Sequence, residues 1–223
     1  MNAVIGEVLP LAVTAAISPL PIIAVILMLL APRAGGASVG FLVGWIAGVV
    51  AVSVLFTVLA RVLGLSGGGH GGVASGVVKL VLGAGLLLAG VRQWRSRPRD
   101  GAEPAPPKWM GAIDTMTAPK AAGLAFLLSA VNPKNLAVLL AAGVAIGSAD
   151  LGVGQTVVVV AIVTVLASCT VAAPVVLNAV ARDRARVVLA HVREWLVAHN
   201  AAVMTVVLLL IGVVLIGKGI ASL

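Results

Sequence analysis

Two short polar interruptions in otherwise apolar sequence hold the residues best placed to do chemistry. The chain reads Ile17-Ser18-Pro19-Leu20-Pro21-Ile22 at the first and Val131-Asn132-Pro133-Lys134-Asn135-Leu136 at the second. A proline removes an amide donor and clashes with the carbonyl one turn back, so each motif breaks a helix and begins a new half-helix. The first amides of a helix are unpaired and its amino end is positive, which favours an anion such as a carboxylate, sulfate or phosphate. Ser18, Asn132 and Asn135 can hydrogen-bond a ligand, or can simply cap the half-helices. Lys134 is the sharpest candidate, because a lysine deep in an apolar run is costly unless solvated or paired. Glu7 and Asp150 both fall near the ends of their runs, so neither is an obvious partner. The candidate substrate-binding set is therefore Ser18, Pro19, Pro21, Asn132, Pro133, Lys134 and Asn135, with plain structural kinks as the competing reading.

The elements that must position these residues are long and apolar. Hydrophobic residues make up 61% of the 223-residue chain and charged residues 10%, against about 25% charged in soluble domains. Six apolar stretches, roughly 3–31, 38–60, 73–91, 119–148, 151–180 and 200–220, each reach the span of about 20 residues that a bilayer requires. The first has no basic leader and is too long for a cleavable signal segment, so it is expected to remain as a span. A shift of 114 residues lays Pro19 on Pro133 and the start of the second stretch on the start of the fifth. The third and sixth share a Gly-x4-Gly pattern, Gly85–Gly90 and Gly212–Gly217. The expected fold is an all-α integral membrane protein of six transmembrane helices. They form two inverted three-helix repeats with broken helices one and four, an arrangement typical of secondary transporters. The first repeat covers 1–93 and the second 118–223, with a proline-rich linker at 94–117, all within one membrane domain.

The net charge of +8 acts mainly as a topology signal. Eleven of the fifteen Lys and Arg residues fall after the first stretch, between the third and fourth, or between the fifth and sixth. The excess of basic residues in cytoplasmic loops then places the linker in the cytoplasm and both termini outside the cytoplasmic membrane. Trp94 and Trp109 flank the linker as interfacial anchors. Residues 182–198 put Val188, Val192, Trp195 and Leu196 on one helical face, the pattern of a helix lying on the inner leaflet or of an extension of a neighbouring span.

Other signals are weaker. The lone Cys169 excludes a disulfide relay within one chain and reads as a small buried hydrophobe. Gly40, Gly44 and Gly48 form a stripe for close helix approach that permits a homodimer without requiring one. Lys79 is placed to snorkel outward from the third stretch. Gly212–Lys218 resembles the start of a phosphate loop, but Gly219 replaces the required Ser or Thr. His70 stands alone in a glycine-rich segment, and paired carboxylates, nucleophile elbows and HExxH motifs are missing. The reading is therefore of a protein that is not an enzyme, uses no cofactor or metal, and meets membrane lipids, not nucleic acid.

With Ser-Pro-Leu-Pro in the first span, Pro32-Arg33, Gly40–Trp45 and Asn132–Asn135, essentially the whole chain resembles the LysE superfamily of exporters. Within it the chain is most similar to the actinobacterial family of glycopeptidolipid- and sulfolipid-addressing proteins. The resemblance implies movement of a cell-envelope lipid across the cytoplasmic membrane, alone or with other lipid-export proteins. Asn-Pro-Lys is shared across the superfamily and does not choose a substrate. Export of a small solute, an amino acid or a metal ion, and a scaffold without transport activity both stay open. A side opening between spans one and four wide enough for acyl chains would favour lipid.

Overall fold

The structure, a computed structural model, describes residues 1–31, 34–64, 70–95, 113 and 116–223. Within these residues the long elements are all α-helices, and no strand occurs. They are α1 (Asn2–Ala16), α2 (Pro19–Leu30), α3 (Ala34–Val62), α4 (His70–Arg95), α5 (Ala118–Ala130), α6 (Pro133–Gly147), α7 (Val153–Val180) and α8 (Arg182–Ile220). Most of the 94–117 linker, including Trp109, lies outside the described residues, as does Arg33.

Both proline motifs break the chain where their chemistry demands. α1 and α2 are bent by 49° across Ile17 and Ser18, and α5 and α6 by 66° across Val131 and Asn132. Among the described residues four single helices are long and apolar enough to cross a membrane, and the number rises to six if each bent pair is one crossing. α8 is continuous over 39 residues, a length of about 58 Å against a hydrocarbon core of about 30 Å. Nothing between Arg182 and Ile211 is proline or glycine, so the helix has no stop. Residues 182–198 are thus the extension of α8, not a separate surface helix.

Packing follows the small residues. A Cβ on Gly40 or Gly44 would strike the backbone of Ala118 or Ala122, and one on Gly48 the side chain of Ser129, so α3 and α5 touch along this stripe. The three glycines expected to permit a dimer are therefore occupied inside the chain. Gly76 lies against Gly219 and Gly83 against Gly212, bringing α4 onto α8 in the same way. Gly90 packs on Leu208 and Leu209, whereas Gly85 and Gly217 face open space. The working glycines thus only partly follow the shared sequence pattern. Trp45 and Phe41 are fully buried, and the Trp45 indole donates to Ala167 O at 3.2 Å, tying α3 to α7.

The outside is as apolar as the inside. Val43, Leu55, Val81, Leu88, Val157, Val165, Leu210 and Val213 are all more than half exposed, a surface that only a hydrocarbon phase would tolerate. This is the architecture of a multi-pass membrane protein. Cys169 belongs to that exposed surface and is not buried. α7 also packs on α1 and α2, and α1 lies against α6, while α2 and α5 scarcely meet.

Candidate functional site

The two breaks lie side by side, joined by Lys134. Pro133 at the first position of α6 gives that half-helix its start, because its missing N–H would have no partner there in any case. Asn132 caps the turn, its Oδ1 accepting from Lys134 N at 3.0 Å. This sends the Lys134 side chain, 3% exposed, toward the carboxyl end of α1. Its Nζ donates to Thr14 O at 2.8 Å, Ile17 O at 2.7 Å and Ser18 Oγ at 2.9 Å.

The two carbonyls among those partners are groups that a helix leaves unpaired when it ends. The last carbonyls of a helix lack intrahelical donors and carry the negative end of its dipole. At the end of α1, Ile17 N reaches Val13 O at 3.0 Å, Lys134 takes Thr14 O and Ile17 O, and Ala16 O accepts from Ser18 N at 2.8 Å and from Thr170 Oγ1 of α7 at 2.6 Å. A buried cation here is neutralised by backbone dipoles, not by a carboxylate. The expected geometry, an ammonium open to a cavity beside two positive helix starts, is replaced by an ammonium turned toward a negative helix end.

The second break has a smaller version of the same device. Asn135, 1% exposed, donates from Nδ2 to Leu128 O of α5 at 3.3 Å and accepts from Ser18 Oγ at 3.2 Å. Ser18 therefore links the two breaks and does not cap α2, contrary to the simpler expectation. One polar chain, Lys134 to Ser18 to Asn135 to Leu128 O, runs from α1 through α6 to α5. Pro19 and Pro21 are buried in the first turn of α2, Asn132 is half-buried and Pro133 exposed. The prolines deprive α2 of two first-turn amides, and Ile22 N already reaches Ser18 O at 3.4 Å. Neither half-helix start offers the row of free amides that an anion cradle needs.

Sequence reasoning missed Thr14, Thr170 and Glu7. Thr170 carries no pattern that marks it, and a backbone acceptor such as Thr14 O leaves no trace in residue type. Lys79 does not snorkel: it is buried and paired with Glu7 at 2.9 Å, while Lys218 donates to Glu7 O at 2.9 Å. These contacts fasten the start of α1 to α4 and α8. Glu7→Gln is expected to lower stability by about 1 kcal/mol, the modest value of a partly exposed pair. Thermal unfolding of the purified protein checks this, and an unchanged midpoint would show the pair to be idle.

A large apolar groove lies beyond the first break. Its volume is about 980 Å³, and its walls are Ile22 of α2, Thr170 to Val180 of α7 and Val188 to Leu196 of α8. It reaches Thr170, the residue that holds Ala16 O. Pro174 lines it and frees the Thr170 carbonyl from its usual bond. This groove opens between α2, α7 and α8, whereas the side opening that would favour lipid in the sequence reading is one between spans one and four.

Compared with curated proteins and with solved structures, the chain finds no match. Its sequence does match the profile of a family described as Sap, sulfolipid-1-addressing protein, over residues 8–221. That match takes in α2 to α8, the larger part of α1, both breaks and the apolar groove, and by it the chain belongs to the sulfolipid-1-addressing protein family.

Proposed function

We propose that the chain is a carrier moving an anionic cell-envelope lipid, of sulfolipid or glycolipid type, across the cytoplasmic membrane. In this reading the two bent pairs each count as one span. The six spans form two inverted triplets with the basic loops in the cytoplasm and both termini outside. The observation that carries the proposal is the apolar groove of about 980 Å³ ending at the broken α1–α2 pair. A groove of this composition suits acyl chains and offers little to an amino acid or a metal ion. Arg182, Arg184 and Arg186 stand in the first turns of α8, beyond its mouth, where an anionic headgroup would meet them. Family membership supports lipid as the cargo. The packing of α1 on α6, with α2 scarcely meeting α5, supports a state closed on one side of the breaks and open on the other. Lys134, Ser18 and Asn135 then serve as the latch that holds the closed side, and the prolines serve as its hinges.

The test is inter-leaflet transfer of labelled phosphatidylglycerol in vesicles holding the purified protein. Wild type is expected to exceed empty vesicles. Ala173→Trp, which fills the groove from α7, is expected to lower the rate about tenfold, as when roughly two methylenes of burial are lost. Equal rates for wild type and empty vesicles would sink the carrier reading and favour a scaffold.

A further inference from the structure

At the opposite end of α7 lies a second groove, and its chemistry differs from that of the first. It measures about 540 Å³, inside the range of about 300–1,000 Å³ usual for ligand pockets. Val50, Val54 and Val58 of α3 form one wall and Val157, Ala161 and Val165 of α7 the other. β-branched side chains are stiff at χ1 in helices, so the walls are formed in advance and little ordering is needed on binding. From Val50 to Arg61 the groove follows eleven residues of helix, a length of about 16 Å. That is close to half of the hydrocarbon thickness of about 30 Å, the depth of one leaflet.

Arg61 closes its outer end. The guanidinium is half-buried, and its Nη2 donates to Leu151 O at 3.1 Å and to Thr156 Oγ1. Both partners are neutral. Among the described residues no carboxylate lies within ion-pair distance of Arg61, and residues 62–78 contain no acid. Five N–H donors are available on a guanidinium, so donors remain for a further acceptor.

We infer that this groove is a binding site for one anionic phospholipid, its phosphate on Arg61 and one acyl chain between α3 and α7. An arginine at the interface with a one-leaflet apolar channel beneath it matches the two parts of such a molecule in charge and in length. The site is separate from the groove at α8 and is read at equilibrium, so its failure leaves the carrier proposal standing.

The experiment is native mass spectrometry of the full chain in detergent, titrated with phosphatidylglycerol or phosphatidylcholine. Wild type is expected to retain one more phosphatidylglycerol than phosphatidylcholine. Arg61→Gln should weaken phosphatidylglycerol about fivefold and leave phosphatidylcholine unchanged, while Arg61→Lys retains most of the preference. Ala161→Phe, which blocks the channel and keeps the arginine, should weaken both lipids. Unchanged phosphatidylglycerol binding in Arg61→Gln overturns the inference. So does a dimer that Ala161→Phe dissociates, which would make the groove an interface between copies. Displacement of phosphatidylglycerol by an equimolar sulfated glycolipid would overturn the assignment to phospholipid.

Discussion

Lys134→Met is expected to destabilise the protein by about 3 kcal/mol, the largest effect of any single polar substitution in the chain. Methionine keeps the length of the side chain but supplies no donor. Thr14 O and Ile17 O, both now held by Nζ, would be left unpaired at the negative end of α1, the first of them buried. Each unpaired buried acceptor costs about 1–3 kcal/mol, and relief from burying a charge returns part of that sum. Ser18 Oγ loses least, since it still donates to Asn135. Equilibrium unfolding in denaturing detergent measures the total, and hydrogen exchange locates it, with protection falling first over the last turn of α1. A stability within 0.5 kcal/mol of wild type would mean that the three contacts do not hold the breaks together. Loss of lipid transfer in a variant that keeps its fold would instead assign Lys134 to transport.

The second large effect belongs to Gly44→Ala. The added methyl falls on the carbonyl of Ala122, a backbone group on α5 that has no other rotamer to take. α3 must move off α5, and the contacts of Gly40 and Gly48 on the same stripe move with it. Overpacking of this kind costs about 1–3 kcal/mol, and here the upper end is expected because the obstacle is backbone. Gly85→Ala is the matched control. Nothing lies within 4 Å of its added Cβ, and replacing a mid-helix glycine by alanine gains up to about 1 kcal/mol. Thermal midpoints of the two variants should therefore move in opposite directions. A shared direction would refute the assignment of the stripe to helix packing.

The sequence made some of this legible and hid the rest, for physical reasons. A proline acts on its own helix, so Pro19 and Pro133 announced both breaks without any knowledge of neighbours. The glycine stripe on α3 announced a close approach for the same reason, but not its partner, because α5 is apolar and alanine-rich like most of the chain. Lys134 was recognisable as a residue in need of compensation. No carboxylate in the sequence answers that need, since the compensation comes from Thr14 O and Ile17 O, and carbonyl groups are common to every residue type. The Glu7–Lys79 pair joins residues far apart in sequence, and only the packing of α1 near α4 reveals it. Arg61 carries no mark in the sequence, because its partners, Leu151 O and Thr156, are neutral. The position of Cys169 depends on which face of α7 meets lipid, and helical periodicity is faint in a helix that is apolar all round.

The three oxygens around Lys134 Nζ lie at 2.7, 2.8 and 2.9 Å, an arrangement that could equally receive a free monovalent ion. In transporters with broken helices, carboxyl-terminal half-helix ends and unwound carbonyls are where sodium is bound. A free ion would occupy such a place only as its concentration allowed, and the junction of α1 with α6 would tighten or loosen with the medium. An ammonium fixed to α6 by its own side chain is present at an effective concentration set by the covalent link. In the proposed carrier, closure of this junction is accordingly expected to be independent of the sodium and potassium on either side of the membrane.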